Sequence, residues 1–165
     1  MNLYRNYTVG LPDLNDRLTD GLAARQRWLS VLTKAHLSEL ESVATELALP
    51  ADWEWLRRPE PGAVMVRGRM GGSGAAFNMG EMTVTRAAVR LADGTVGMGY
   101  AAGRSHRKAE LVALFDAALQ QTPALVPTVI DPLAQAQTDA RLDASRKAAS
   151  TKVDFFTMVR GQNQK

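Results

Sequence analysis

The run MTVTRAAVRLADGTVGMGYAA (residues 82–102) is the clearest indication of the fold class. Its residues alternate between two faces with a period of two, which is typical of β-strands. Asp93-Gly94 interrupts the alternation, and this pair is a strong signal for a tight hairpin turn. The sequence therefore predicts two antiparallel strands. The first strand has two distinct faces, which carry Met82, Val84, Arg86, Ala88 and Arg90 on one side and Thr83, Thr85, Ala87, Val89 and Leu91 on the other.

Two further runs with the same period lie upstream of this hairpin. Trp53 and Trp55 share one face of a short run, which ends at the turn signal Pro59-Glu60-Pro61-Gly62. After that turn, residues 64–69 alternate again between two faces. Together with residues 82–102, these runs predict a four-stranded antiparallel meander.

Segments before and after the predicted sheet in the chain have apolar residues at helical spacing. A first helix is predicted to begin near Gly21, and a second begins at a capping box formed by Ser38 and Glu41. Arg104 and Ser105 open a third helix with an apolar face. We therefore expect an α+β fold, in which an N-terminal α-hairpin and the later helices pack on one face of the sheet. The predicted buried side of the third helix comprises Leu111, Val112, Leu114, Phe115, Ala118 and Leu119.

Changes in composition divide the chain into three parts. Residues 1–20 show no period and are predicted to be a flexible N-terminal arm, whereas residues 21–122 form the α+β core domain. Residues 123–165 contain prolines, an alanine-rich stretch and an apolar cluster. We interpret this last part as a linker over 120–132, a helix with a thin apolar face over 133–150, and a C-terminal helical or extended arm.

The composition excludes several classes of protein. The chain has 165 residues, of which 45% are hydrophobic and none is cysteine. Without cysteine it cannot form disulfides, thiolate zinc sites, a cysteine nucleophile or an iron–sulfur cluster of its own. No apolar run approaches the ~18 residues that a membrane span needs. The N-terminus has no apolar core typical of a secretory signal, so we expect a cytoplasmic protein without membrane contact.

Basic residues are concentrated in the sheet region. The segment Arg57–Lys108 contains nine basic and three acidic residues, although the whole chain carries only +3. Arginine suits bidentate contact with phosphate or carboxylate. The glycine-rich loop Arg69–Gly74 lacks the lysine and the following helix of a P-loop, so it is interpreted as a strand connection or as part of an interface. The candidate phosphate or interface residues are Arg67, Arg69, Gly71, Gly72, Gly74, Arg86, Arg90 and Arg104.

Residues typical of catalysis or metal binding are sparse. His106 and Glu110 are spaced for one face of a helix, but such a pair is more often an exposed ion pair than half of a metal site. Asp93 is interpreted as a turn residue and Asp116 as a helix-surface residue. The residues therefore predict no catalytic site, no metal site and no cofactor bound by this chain.

An apolar cluster precedes the polar C-terminus. Such a segment either folds back on its own core or docks on another chain, and docking is the favoured interpretation. The aromatic residues, methionine and arginine of this cluster have the composition of an interface hot spot. The predicted partner-docking residues are Trp28, Val153, Phe155, Phe156, Met158, Val159 and Arg160.

Five strings of residues carry a resemblance to a known family. They are RQRWLSVL (25–32), RMGGSG (69–74), GEMTVTRAAVRLADGTVG (80–97), GR (103–104) with AEL (109–111), and TKVDFFTMVRG (151–161). In this order they resemble the PhnG family, the G subunit of the bacterial carbon–phosphorus lyase core complex.

The resemblance implies a non-catalytic subunit of a machine for phosphonate catabolism. In that family the subunit is required, with subunits H, I and L, when methylphosphonate displaces adenine from ATP to give α-D-ribose 1-methylphosphonate 5-triphosphate. ATP is thus a substrate of the complex. The implied partners are subunit I most directly, then J and H, with L functionally, in a heteromeric core complex that holds two copies of this chain.

Two alternatives remain open from the residues alone. The arginine-rich sheet predicts a stand-alone module that binds phosphate or a nucleotide, as an alternative to the subunit role. A nucleic-acid module is disfavoured, because Phe77 and Tyr100 are the only aromatic residues between Arg57 and Lys108.

Overall fold

Four helices and three strands make up the part of the chain that the structure describes. The structure is a computed structural model, and it describes the backbone of residues 14–151 and the side chains of residues 20–151. Two short 3₁₀ turns, Met70–Gly72 and Pro123–Leu125, connect longer elements. This architecture confirms the predicted α+β class. In chain order the elements are α1 (Leu14–Leu32), α2 (Leu37–Leu47), β1 (Trp53–Arg69), β2 (Ala76–Leu91), β3 (Val96–Ala102), α3 (His106–Gln121) and α4 (Val126–Ser150).

The sheet has three antiparallel strands in the order β1-β2-β3. The prediction of four strands was wrong, because β1 continues through Pro59-Glu60-Pro61-Gly62 instead of turning there. The register shifts between Arg57 and Glu60, and pairing with β2 then resumes at Glu60 and Pro61. Strand β1 lies at the edge of this sheet, so its outer side needs no hydrogen bonds to a further strand. Proline, which has no N–H group to donate, is therefore tolerated there.

Helix α3 packs unusually close to the sheet. Gly97 and Gly99 of β3 are buried against it, and a Cβ atom added at Gly99 would overlap with the carbonyl oxygen of Ala109. A Cβ atom at Gly97 would likewise overlap with the carbonyl oxygen of Ala113. Glycine at these two positions therefore sets the distance between helix and sheet.

The two faces of the sheet differ in what covers them. The face toward α3 buries Ala87, Val89 and Leu91, and the partly buried Trp53 and Trp55 pack against this cluster. The two indole rings meet edge to face with centroids 4.4 Å apart. The other face, called here the open face, carries alternate residues of β2 and β3 that are half-buried or exposed, except for the buried Val84.

The helices form a second apolar cluster around α3. The buried run Leu111–Leu119 contacts the sheet on one side and the other helices on the opposite side. All the residues predicted to lie on the buried side of α3 are buried, and Ser105 caps this helix as predicted. The members of the cluster from α1, α2, α4 and the α1–α2 connection are Trp28, Leu32, Ala35, Leu40, Val129, Ile130 and Leu133.

Three helix boundaries differ from the predicted ones. Helix α1 begins at Leu14 instead of near Gly21, so the predicted arm over 1–20 overlaps with a helix. The cap of α2 lies at His36, whose backbone N–H donates to Glu39 Oε2 at 2.7 Å, two residues before the predicted capping box. Helix α4 begins at Val126 and contains Pro132, so the predicted linker is partly helical.

One half of the β1–β2 hairpin extends beyond the rest of the sheet. Strand β3 pairs with β2 only between Val84 and Arg90, whereas β1 and β2 remain paired as far as Arg69 and Ala76. Residues 63–69 and 76–83 therefore form a two-stranded extension, called here the ribbon. A two-stranded hairpin is marginally stable in water by itself.

The C-terminal half of α4 also leaves the body of the molecule. Gln137 still donates a hydrogen bond to the carbonyl oxygen of Val31 at 2.9 Å. Every residue from Thr138 to Thr151 is exposed, in agreement with the thin apolar face predicted for this helix. Within residues 14–151, no helix is both long and apolar enough to cross a membrane.

Candidate functional site

Among the side chains that the structure describes, the fully buried carboxylate of Asp116 on α3 makes the most hydrogen bonds. Its Oδ1 accepts hydrogen bonds from Arg25 Nε at 3.1 Å and Trp28 Nε1 at 2.9 Å. Its Oδ2 accepts from Arg25 Nη2 at 2.7 Å and from the backbone N–H of Met98 at 2.9 Å. A carboxylate offers about four lone-pair positions, so Asp116 has no free position for a substrate.

Asp116 was predicted to be a surface residue, and that interpretation was wrong. Helix α3 is buried on all sides over Leu111–Leu119, because the sheet covers one side and α1 and α4 contribute to the cluster on the other. Met98 lies on the edge strand β3, and its N–H points away from β2. Asp116 therefore satisfies a backbone donor that a sheet edge otherwise leaves unpaired.

The arginines of the three-stranded part of the sheet are already paired with carboxylates. Arg86 Nη2 lies 3.3 Å from Glu60 Oε1, and Arg90 Nη1 lies 2.9 Å from Glu54 Oε1. Arg57 Nη1 is 3.4 Å from the same oxygen of Glu60. The pairs of Arg86 and Arg90 join β1 to β2, and they largely neutralise these two candidates for phosphate binding.

The arginines of the ribbon lie far from this group. Arg67 is opposite Asn78 in the hairpin, and Asn78 precedes Arg86 by about 25 Å along β2 at roughly 3.3 Å per residue. Arg69 Nη1 donates to the carbonyl oxygen of Gly74 at 3.0 Å, within the ribbon tip. The structure therefore places Arg67, Arg69 and Gly72 around one open depression of the ribbon and separates them from Arg86 and Arg90.

The glycine-rich loop forms the tip of the ribbon. Gly71 and Gly72 have φ angles of 59° and 81°, as expected of a strand connection that needs glycine. The N–H of Gly74 donates to the carbonyl oxygen of Met70 at 2.9 Å, which closes the turn. Arg104 is exposed beyond the end of β3 and makes no salt bridge with any side chain between residues 20 and 151.

Exposed apolar side chains cover much of the open face. Near β3 they border a depression of about 630 Å³, which Leu29 of α1 also lines. Sequence reasoning did not group these apolar residues as one exposed surface, although the period-two spacing of the strands was visible. The large apolar residues exposed on the open face and its continuation along the ribbon are Leu56, Phe77, Met79, Met82, Met98 and Tyr100.

Trp28, predicted as a docking residue, is placed in the core of this chain. Its indole is 6% exposed, and its N–H group donates to Asp116. The other docking residues, Val153, Phe155, Phe156, Met158, Val159 and Arg160, lie outside the described residues.

The two histidines lie at helix starts. His36 caps α2 and His106 is the first residue of α3. Glu110, which was considered as a metal-ligand partner of His106, accepts a hydrogen bond from Arg107 Nη1 at 2.9 Å. Among residues 20–151, no three side chains of histidine, aspartate or glutamate come together as a metal site would require.

Two groups between residues 20 and 151 have displaced pKa values. A hydrogen bond from the Gln121 side chain, followed by those from the backbone N–H and hydroxyl of Thr95, lowers the pKa of Asp93. Partial burial lowers the pKa of Lys108, and the charge of Glu39 opposes that change. Asp93 holds the hairpin turn, as predicted, and neither group lies on the open face.

Comparison with known proteins relates this chain to a described family and to a curated protein. A family model described as phosphonate metabolism protein PhnG matches residues 23–161. A curated protein from Rhizobium meliloti (strain 1021), named alpha-D-ribose 1-methylphosphonate 5-triphosphate synthase subunit PhnG, is 44% identical over 148 residues. That alignment covers 87% of this chain and 93% of the Rhizobium protein.

Proposed function

This chain belongs to the PhnG family of phosphonate metabolism proteins, and we propose that it is a subunit of an α-D-ribose 1-methylphosphonate 5-triphosphate synthase within a carbon–phosphorus lyase complex. In this role it participates in the transfer of the ribose triphosphate part of ATP to methylphosphonate. The C1′–N9 bond of ATP breaks, a phosphonate oxygen bonds to C1′, and adenine leaves.

The observation that carries this proposal is the similarity to the Rhizobium subunit. An identity of 44% over 93% of that protein indicates that the two chains have the same domain organisation. The match includes the ribbon and all three strands, because residues 23–161 contain them.

We propose further that the chain contributes contacts to the assembly and no catalytic group. Two observations support this role. The carboxylate of Asp116 is saturated by donors of its own chain, and Arg86 and Arg90 are paired with β1. In contrast, the open face and the ribbon expose large apolar side chains, as an incomplete interface does.

The proposed partners are the other subunits of the same assembly. We place subunit I in direct contact, with J and H in the same core complex, L in a functional role, and two copies of this chain. ATP is a substrate of that complex and the chain itself holds no cofactor. The proposal places the assembly in the cytoplasm.

Reconstitution tests the proposed function. Purified subunits H, I and L are mixed with ATP and methylphosphonate, and adenine release is measured by chromatography with and without this chain. We expect release only when this chain is present, and none when this chain is alone with both substrates. Equal release in its absence would contradict the subunit role, and release by the isolated chain would contradict the non-catalytic role.

A further inference from the structure

We propose that the open face and the apolar side of the ribbon form one continuous docking surface for another subunit, which offers an apolar surface with carboxylates beside it. This inference rests on the proposed function and adds to it the element and the face that make the contact. Four observations carry it: the alternation of side chains on the ribbon, the continuity of the two surfaces, their size and their charge.

The ribbon has two faces of different chemistry. Residues that lie directly opposite each other in an antiparallel pair share a face, and the pairing places Val64 with Met82 and Gly68 with Phe77. On the reverse side it places Met65 with Glu81, and Arg67 with Asn78. One side of the ribbon is thus apolar, whereas the reverse side carries its charged residues.

Met79 belongs to the apolar side. The register shifts between Val66 and Arg67, which leaves Met79 as the extra residue of β2 at that point. A Cβ atom added at Gly68 would overlap with the Sδ atom of Met79. The methionine side chain therefore lies across the backbone of Gly68, and it is still 64% exposed.

The apolar side of the ribbon continues into the open face without a change of direction. Met82, Val84, Arg86 and Ala88 follow one another on this side of β2, where Val84 is buried and Arg86 is the charged member. Met98 and Tyr100 of β3 and Leu56 of β1 border the depression at the far end of this surface. Helix α3 packs on the opposite face, whereas Leu29 of α1 borders only the depression.

The surface is large enough to matter for assembly. From Phe77 to Arg90 it extends about 43 Å along β2, and two to three strands give it a width of about 10–15 Å. Its plan area is roughly 500 Å², a large share of the ~800 Å² per partner in a standard interface. A ribbon of two strands also gains stability when a partner covers it.

Charge favours a different subunit over a second copy of this chain. The open face carries Arg57, Arg86 and Arg90 against Glu54 and Glu60, so it keeps an excess of positive charge. A second copy would bring the same cations together across the contact, which is unfavourable. A partner with carboxylates around an apolar centre complements the surface.

The test compares two methionines of the ribbon. Met79→Asp places a charge on the apolar side, and Met65→Asp places the same charge on the reverse side, where the methionine is 52% exposed. Each variant carries a tag and is co-expressed with the other subunits of the proposed assembly. The co-purified subunits are quantified and their complex is weighed by light scattering. We expect Met79→Asp to reduce the amount of co-purified subunits at least tenfold. For Met65→Asp, we expect an amount within twofold of that obtained with the unmodified chain.

A second position and a stability measurement exclude misfolding as the cause. Met98→Asp lies on β3, outside the ribbon, and we expect the same loss of subunits as for Met79→Asp. Thermal melting of the isolated variants shows whether each retains its fold, and a loss of subunits counts only for variants that do.

Each other outcome overturns the inference. Equal losses for Met79→Asp and Met65→Asp, or no loss for either, would reject this face as the docking surface while the complex of the unmodified chain upholds the proposed function. If the unmodified chain retains no other subunit, the inference and the proposed function fall together. A dimer of the isolated chain that Met79→Asp dissociates and Met65→Asp preserves would assign the face to a second copy instead.

Discussion

The indole N–H of Trp28 donates a 2.9 Å hydrogen bond to the buried carboxylate of Asp116, and this contact joins α1 to α3. The same carboxylate binds Arg25 of α1 and the N–H group of Met98 on β3. One side chain therefore connects the N-terminal helix, the central helix and the edge of the sheet. A buried carboxylate with four donors is stable only as long as all four remain.

We predict that Asp116→Asn destabilises the fold by about 3 kcal/mol. The substitution removes the charge that pairs with Arg25 and replaces one acceptor by a donor group, which opposes the N–H groups around it. Urea denaturation measures the change. Asp131→Asn is the control, because its pair with Arg27 is exposed and its loss should change stability by less than about 0.5 kcal/mol. Equal effects of the two substitutions would refute the structural role of Asp116.

We predict that Gly99→Ala destabilises the fold by at least about 2 kcal/mol. The added methyl group would overlap with the backbone of Ala109, which cannot move without shifting α3. Gly21→Ala is the matched control, because no atom lies within 4 Å of its added Cβ. Alanine is favoured over glycine in a helix, so this control should stabilise the chain by up to about 1 kcal/mol. Thermal melting of both variants checks the opposite signs.

We predict a pH-dependent effect of Asp93→Asn. The hydrogen bonds from Gln121 and Thr95 lower the pKa of the folded carboxyl, so its ionised form stabilises the hairpin turn. This contribution is fully present above the pKa of the unfolded chain and is lost as pH falls through the lower pKa of the folded state. Melting temperatures of both proteins, measured from about pH 7 to about pH 3, should differ at neutral pH and converge in acid. A constant difference at all pH values would contradict the prediction.

We predict that ATP does not stabilise the isolated chain. The arginines of the open face are paired with Glu54 and Glu60, and those of the ribbon lie about 25 Å away. A ligand at 100 times its Kd would add about 2.7 kcal/mol, which thermal melting detects easily. A clear stabilisation that Arg86→Gln abolishes would revive the alternative of a nucleotide-binding module.

Local patterns predicted the elements whose faces differ in polarity. The two faces of β2, the turn at Asp93 and the cap of α3 at Ser105 all follow from short-range spacing and turn chemistry. The prediction of a fourth strand was wrong because Pro59 and Pro61 are typical of a turn. An edge strand tolerates prolines where the register shifts, so β1 continues through them.

Long-range pairing could not be read from the sequence. Asp116 is separated from Arg25 by 91 positions, and nothing local indicates that α3 is buried on every side. The pairing of the candidate arginines could not be predicted for the same reason. A strand pattern predicts which face carries Arg86, but it does not predict that Glu60 lies opposite on β1. For the proposed docking surface, the sequence showed only that side chains alternate between two faces. It could not show that Met79 and Met98 are exposed, because that depends on which face the helices cover.

The ribbon has a consequence for a chain synthesised without its partners. The prolines of β1 lie at Pro59 and Pro61, so the outer edge over residues 63–69 lacks them, and β3 pairs with β2 only from Val84 onward. Bare edges beside methionine and phenylalanine are templates for strand-to-strand aggregation. We therefore expect surplus orphan copies to depend on chaperones or to be degraded, which makes balanced synthesis with the other subunits a requirement of the fold.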